Sequence, residues 1–188
     1  MAVTSSLRSA LLLLLCALPL GGAAQSFDRE YTRFGFELRT RWGNAIEGRF
    51  PQYEGEVTTL PDGRHQVRIR LATAALEVEG PERYTRFARG ERFFDAPRHP
   101  WVEFLSDPYP AALVQSGGRL RGTLSMHGVS RYESFLLAPQ ACARPARACD
   151  VVARGSVSRA NYGLDGWRFV LVDRVQFTLR VRLQDAAP

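Results

Sequence analysis

Few side chains in this sequence are of the types that carry out chemistry, and their spacing does not form a motif. The three histidines, His65, His99 and His127, are far apart, and none has a partner at metal-ligand spacing. Neither Ser156 nor Ser158 stands in the G-x-S-x-G pattern of a nucleophile elbow. We therefore predict no metal site, no catalytic residue and a protein that is not an enzyme. An active site built from dispersed residues is the less favoured alternative.

The N-terminal segment has the composition of a cleaved secretory signal peptide. A positive charge at Arg8 precedes a short apolar run at 10–20, and small residues follow it. That run is about half the length that spans a bilayer, which argues against a membrane anchor. Cys16 follows a leucine, whereas a lipidation site needs a small residue there. We predict a signal peptide at 1–24, a mature domain at 25–188, and export to the periplasm or beyond the cell.

Two cysteines remain in the predicted mature domain, Cys142 and Cys149, with six residues between them. An exported protein with two such thiols is expected to join them in one disulfide. A redox or metal pair is the alternative, and the absence of a CxxC motif and of a nearby histidine argues against it.

The charged residues exclude one class of partner. All 25 basic side chains are arginines, and the formal net charge is +6. The arginines alternate with acidic residues instead of forming a patch or a run, so we predict no nucleic-acid binding. A mildly basic surface of this kind is attracted to anionic lipid headgroups, so we expect at most peripheral contact with a membrane.

Alternation of apolar and polar residues with a period of two dominates the mature chain and is typical of half-buried antiparallel strands. A helical spacing occurs once, at 80–90, where Pro81 suits the first turn and Gly90 the end. Gly117 and Gly118 indicate a hairpin. The predicted strands are 32–40, two short strands within 46–59, 66–71, 101–105, 120–127, 132–137, 150–159 and 174–183.

This pattern predicts one all-β domain, either a closed antiparallel barrel or a sandwich. Every second side chain of such a strand faces the interior. The residues alone leave open whether those apolar side chains fill the interior or line a cavity.

Five segments resemble, in order, the motifs of the YceI-like family. The segment at 122–131, GTLSMHGVSR, is similar to the family's G-x-L-T-x-H-G-V-T-R. The other four are IEGRF at 46–50 with YEGEV at 53–57, FFD at 93–95 with HP at 99–100 and VEF at 102–104, SRANYGL at 158–164, and DRVQF at 173–177.

The resemblance implies an antiparallel, eight-stranded, lipocalin-like barrel with one short capping helix. It also implies an exported, non-catalytic protein that holds a polyisoprenoid, a quinone or a similar long apolar chain in the lumen. We expect no cofactor, and a monomer or homodimer. Arg89 is the candidate for contact with a headgroup. The candidate lumen residues are Phe34, Phe36, Leu38, Phe50, Val57, Ile69, Leu71, Phe87, Phe93, Phe94, Phe104, Leu124 and Met126.

One departure from the family pattern concerns the helical segment before the double phenylalanine. Family members often carry an Asp, a His and an Arg there. Thr85 and Phe87 stand in the places of the Asp and the His, and Arg89 keeps the Arg. The substitutions predict a more apolar mouth than the family pattern has.

Overall fold

The computed structural model describes residues 24–184, and within them the chain forms eleven β-strands and two α-helices. The predicted signal peptide lies outside these residues apart from Ala24. The strands are β1 (Ala24–Ser26), β2 (Arg33–Thr40), β3 (Ala45–Arg49), β4 (Tyr53–Thr59), β5 (His65–Ala72), β6 (Glu77–Val78), β7 (Trp101–Ser106), β8 (Gly118–Met126), β9 (Val129–Leu137), β10 (Val151–Ser158) and β11 (Leu171–Val181). The helices are α1 (Glu82–Arg89) and α2 (Leu113–Ser116).

All eleven strands belong to one antiparallel sheet, in the order β1-β4-β5-β7-β8-β9-β10-β11-β2-β3-β6. The residues after β1 meet the residues after β11, because Phe27 forms an antiparallel bridge with Leu183. The Asp28 N–H donates to the Arg182 carbonyl at 2.8 Å and extends this contact. The segment that follows β1, the first strand in the order, is thereby joined to the segment that follows β11. The sheet consequently curls into an incompletely closed barrel.

Side-chain alternation decides which face of the sheet is inside. In β11, Val175, Phe177 and Leu179 are buried, whereas Gln176 between them and Arg180 directly after them are exposed. Successive side chains of a strand point to opposite faces, so one residue of slip would place the arginine in the core. The same alternation in the other long strands gives one continuous apolar core inside the barrel.

The all-β, barrel-like fold is confirmed, but the strand and helix counts were wrong. The sheet has eleven strands instead of eight. The sequence pattern missed β1 and β6, since three and two residues are too few to show a period of two. It also missed α2, whose four residues make about one turn.

The hairpin predicted at Gly117 and Gly118 was also wrong. These glycines end α2 and begin β8, with φ angles of 72° and 136°. The tight turn lies instead at His127 and Gly128, between β8 and β9, where φ is 52° and 75°. Two successive positive φ angles match the right-handed twist of the flanking strands, so this pair makes a compact two-residue connection.

Helix α1 lies beside β6 and is held there by two side chains. The Thr85 hydroxyl accepts the Val78 N–H at 2.9 Å, and the Arg89 Nε donates to the Leu76 carbonyl at 2.8 Å. Ala88 on the inner face of α1 is buried, whereas Phe87 stands exposed. The predicted helix is therefore confirmed, and it covers part of one end of the barrel.

The predicted disulfide is confirmed, with Cys142 and Cys149 joined at 2.04 Å. In the chain-entropy account, closing so short a loop stabilises the fold by about 2–3 kcal/mol. Within residues 24–184, none of the helices has the length and apolar character needed to cross a bilayer.

Candidate functional site

The barrel is hollow at the end that α1 covers. A cavity of about 360 Å³, which we call cavity 1, lies between α1, the C-terminal half of β2 and the first residues of β11. Two of its lining residues, Arg83 and Arg159, are charged, and most of the others are aliphatic or aromatic. They are Phe36, Leu38, Thr40, Ile46, Val78, Tyr84, Phe87, Ala88, Phe93, Phe94, Met126, Leu164, Trp167, Val170, Leu171, Val175 and Phe177.

Aromatic rings form the mouth of cavity 1. Phe87 on α1 and Trp167 in the segment before β11 face each other with ring centroids 5.5 Å apart. Each keeps nearly half of its surface exposed, at 46% and 47%. The predicted apolar mouth therefore has a physical basis, because a phenylalanine replaces a polar family residue directly at the opening.

Arg159 is the buried cation of the site, and it has a structural role. Its guanidinium donates to the carbonyls of Leu164 at 2.7 Å, Gly166 at 3.0 Å and Val172 at 3.2 Å. Burial lowers the pKa of this group below its usual value. Three carbonyl acceptors satisfy a charge that would otherwise be costly to bury. Arg159 thus holds the segment that carries Trp167 against the barrel.

A second cavity, cavity 2, lies at the other end of the barrel, beside the disulfide loop and α2. Its volume is about 280 Å³, and its walls are also mainly apolar. The phenol of Tyr109 is buried there, and burial raises its pKa to about 12. The apolar lining residues include Val57, Val67, Ile69, Phe104, Val114, Leu120, Phe135, Leu137, Val151, Ala153, Leu179, Val181 and Leu183.

An apolar partition lies between the two cavities. It encloses a void of only about 20 Å³, lined by residues that include Phe104, Phe135 and Phe177. The rings of Phe104 and Phe135 meet edge to face with centroids 5.0 Å apart. Along β11, Phe177 lines both cavity 1 and the void, and Leu179 lines both the void and cavity 2. The two cavities and the void therefore follow one another along a single strand.

Most of the predicted lumen residues line one of these spaces. Phe34 and Phe50 do not. Both are buried in solid packing, Phe34 against Tyr53 and Phe50 against Phe94. Phe36, Leu38, Phe87, Phe93, Phe94 and Met126 line cavity 1; Val57, Ile69 and Phe104 line cavity 2; and Ile69, Leu71, Phe104 and Leu124 line the void between them.

Arg89 is placed differently from the expectation. Its Nε donates to a backbone carbonyl, and the arginine of α1 that lines cavity 1 is Arg83. The guanidinium of Arg83 lies over the Tyr84 ring, 5.3 Å from its centroid. The headgroup role of Arg89 stays a prediction, and Arg83 is the better placed of the two cations.

The sequence-based list missed the wall that β11 contributes. Leu171, Val175 and Phe177 line cavity 1, and the alternation that includes Val175 and Phe177 was recognisable in the sequence. The inward face of the last strand could thus have been assigned with the others. Trp167 and Leu164 gave no such indication, because they lie in an irregular segment that only the tertiary structure brings to the mouth.

One group of side chains has the composition of a metal site. The ligand atoms of Asp95, His99 and His127 lie within 4.8 Å of one another, and the Nδ1 of His127 is 3.0 Å from the Tyr162 carbonyl. Tetrahedral zinc, with bonds of about 2.0–2.1 Å, needs ligand atoms about 3.3 Å apart. A guanidinium nitrogen of Arg98 also lies 3.2 Å from the Asp95 carboxylate and opposes a second cation. We place no metal here, and the absence of a metal site stays a prediction.

The comparison with protein families shows the family to which this chain belongs. A family model for the YceI-like domain matches residues 26–183, nearly all of the residues that the structure describes. The chain belongs to the YceI-like family. No curated protein sequence matches this YceI-like chain significantly.

Solved structures show the same fold at low sequence identity. The crystal structure of BcnA from Burkholderia cenocepacia is 16% identical, with a TM-score of 0.66 over 82% of this chain and 98% of that one. A polyisoprenoid-binding domain from Saccharophagus degradans, implicated in plant cell wall breakdown, is 12% identical, with a TM-score of 0.63 over 88% and 99%. A mutant of the Campylobacter jejuni YceI protein, crystallised with monobromobimane, is 16% identical, with a TM-score of 0.60 over 74% and 85%. These three folds agree with the barrel described above.

Proposed function

We propose that this protein is an exported, non-catalytic lipid carrier that holds a long apolar chain, such as a polyisoprenoid or a quinone, in cavity 1. The observation that carries the proposal is an apolar space inside the barrel with an open aromatic mouth. A relative of the same fold is described as a polyisoprenoid-binding domain, which supports this class of ligand. We propose export from the signal peptide expected at 1–24, and a monomer or homodimer as the working form.

The size of cavity 1 sets the scale of the ligand. Its volume of about 360 Å³ corresponds to about twelve water volumes of roughly 30 Å³ each, so it accommodates a chain segment of about a dozen carbons. Burying that many methylene groups contributes about 10 kcal/mol before the costs of association, at roughly 0.8 kcal/mol each. The packing of an apolar chain is therefore sufficient for stable binding, without a catalytic group or a cofactor.

Arg83 is the proposed contact for an anionic headgroup. It stands at the mouth of cavity 1, so a chain that enters tail first leaves its headgroup beside this guanidinium. A guanidinium forms two parallel hydrogen bonds with a phosphate. Arg83 is exposed, so we expect this contact to contribute little to the affinity.

A barrel that acts through its outer surface, with a filled interior, is the second candidate. Two cavities of several hundred cubic ångströms disfavour it, because the interiors of proteins without ligands are packed with few voids larger than a water molecule.

The test is to isolate the protein with its ligand. The full chain is expressed with export to the periplasm, purified without detergent and extracted with organic solvent, and the extract is analysed by mass spectrometry. We expect an isoprenoid, a quinone or another long-chain lipid in about a 1:1 ratio to protein. An empty extract, together with no uptake of added polyprenyl lipid, would contradict the proposal and favour the surface-acting barrel.

A further inference from the structure

The exposed apolar side chains are concentrated around the mouth of cavity 1. Nine large apolar residues are exposed among the described residues, and five of them belong to this rim. The two most exposed are Phe169, at 78%, and Trp42, at 72%. The five residues, which we call the aromatic rim, are Trp42, Tyr84, Phe87, Trp167 and Phe169.

Hydrogen bonds fix Trp42 and Phe169 on neighbouring loops. The Arg41 N–H donates to the Val170 carbonyl at 2.8 Å, and the Arg41 side chain donates to the Arg168 carbonyl through Nε at 3.2 Å and Nη2 at 3.1 Å. The turn between β2 and β3 is therefore tied to the segment before β11. Since Val170 lines cavity 1, the two most exposed rings stand next to its mouth.

Three cations accompany the aromatic rim. Arg41, Arg83 and Arg168 are exposed, and within residues 24–184 none of them has a carboxylate within 4 Å. The guanidinium of Arg168 lies over the ring of Phe169 instead, 5.2 Å from its centroid. In the segment that precedes β11 and carries Arg168, Asp165 is the one acidic residue. The rim is therefore aromatic and net positive.

We propose that the aromatic rim docks on the surface of an anionic phospholipid bilayer, so that cavity 1 opens towards the lipid. Trp42 and Phe169 insert among the headgroups, and Arg41, Arg83 and Arg168 contact lipid phosphates. Tryptophan prefers the membrane interface because one end of its ring is apolar and the other donates a hydrogen bond. Arginines near an anionic surface are attracted to it, and guanidinium geometry suits phosphate.

A bilayer fits this rim better than a protein partner does. A protein seated on the rim would cover the mouth and leave the cavity without an entrance. A bilayer instead supplies the apolar chains that the cavity accommodates, so docking brings the ligand to its site. The inference rests on the proposed function for its purpose, but the docking itself is measured separately.

The experiment compares the binding of the full exported protein and its variants to vesicles by flotation. The vesicles contain either phosphatidylcholine alone or phosphatidylcholine with about one third phosphatidylglycerol. We expect the wild type to bind the anionic vesicles and the double variant Trp42→Ala, Phe169→Ala to bind them at least tenfold more weakly. Each arginine near the surface contributes about fivefold, so Arg83→Gln with Arg168→Gln is expected to weaken binding by about 25-fold. Raised salt should weaken the wild type as well.

The matched control removes two exposed apolar side chains, Tyr132 at 62% and Leu136 at 59%, from the outer face of β9. Tyr132→Ala with Leu136→Ala is expected to leave vesicle binding unchanged, because neither residue belongs to the rim. Equal loss in this control would attribute the effect to general hydrophobicity and overturn the proposal. Equal binding of the wild type to neutral and anionic vesicles would overturn the role of the arginines.

A soluble ligand separates failure of docking from failure of the carrier function. Trp42 and Phe169 do not line cavity 1, so the double variant should bind farnesyl phosphate in buffer as the wild type does. If the double variant keeps both farnesyl phosphate binding and full vesicle binding, docking by the rim is wrong and the carrier function stands. If the wild type binds vesicles but no apolar chain, the carrier function is wrong and docking stands on its own.

Discussion

Filling cavity 1 from the helix side should abolish ligand binding without unfolding the protein. Ala88 is buried on the inner face of α1 and lines the cavity. The substitution Ala88→Phe adds six ring carbons that point into this space. We expect the ring to displace about six carbons of the ligand, at roughly 0.8 kcal/mol each, or about 5 kcal/mol in total. That loss corresponds to an affinity about three and a half orders of magnitude weaker, at about 1.4 kcal/mol for each factor of ten.

The same ring should not destabilise the delipidated protein. It enters a space that is empty without ligand, and filling a cavity commonly stabilises a fold by about 0.5–2 kcal/mol. Delipidated wild type and variant are therefore compared by calorimetry, with and without a polyprenyl phosphate. We expect an equal or higher melting temperature for the variant without ligand, and a ligand-induced shift in the wild type only.

The matched control places the same ring in the other cavity. Ala153 is buried and lines cavity 2, so Ala153→Phe should leave binding in cavity 1 intact. A folded Ala88→Phe variant that binds polyprenyl phosphate as tightly as the wild type would refute the assignment of the ligand to cavity 1. Loss of binding in Ala153→Phe alone would place the ligand in cavity 2.

Four further predictions follow from the same geometry. Phe135→Ala opens the partition, so it should cost about 3–5 kcal/mol of stability and shift the lipids recovered by mass spectrometry towards longer chains. Arg159→Met leaves three carbonyls without their donor, and each unsatisfied group costs about 1–3 kcal/mol. The melting temperature should therefore fall by about ten degrees or more, and the fluorescence of Trp167 should change. The pKa of Tyr109 is raised from 10.0 to about 12 because burial favours the neutral phenol. The neutral phenol's contribution to stability is complete below pH 10 and is lost towards pH 12, since the unfolded chain ionises first. Denaturant unfolding should therefore show the wild type losing stability relative to Tyr109→Phe over that interval. Farnesol and farnesyl phosphate should bind within about fivefold of each other, since an exposed ionic contact through Arg83 contributes at most about 1 kcal/mol, and isothermal titration calorimetry measures both.

The long strands and α1 were predictable from the sequence because their side-chain periods are unambiguous. The nine residues at 175–183 alternate strictly, and the structure forms β11 over Leu171–Val181. Pro81 and Gly90 likewise bracket α1 correctly. Elements of two to four residues could not be predicted in this way. Strand β6 exists because it pairs with β3, and that pairing is a tertiary contact.

The residues of the candidate site were predictable only in part, because tertiary contacts also decide which of them line a cavity. A strand pattern identifies which side chains face inward, but it does not show whether an inward residue meets a void or another side chain. Phe34 and Phe36 are two residues apart on β2, yet Phe34 packs in the solid core and Phe36 lines cavity 1. The difference arises from position along the barrel axis, which depends on register across several strands.

The departures from the family pattern act together on the mouth. The hydroxyl of Thr85 is hydrogen-bonded to the backbone N–H and carbonyl of Val78, so this hydroxyl is not available to a ligand. Phe87 faces Trp167 across the opening. At the two positions where the family often has a polar pair, this chain therefore has a threonine that attaches α1 to β6 and an apolar ring at the mouth. We therefore expect the proposed ligand to be selected mainly by the fit of its apolar tail, because the described residues that line cavity 1 include only two cations. Arg83 is exposed, and Arg159 is buried and donates to three carbonyls.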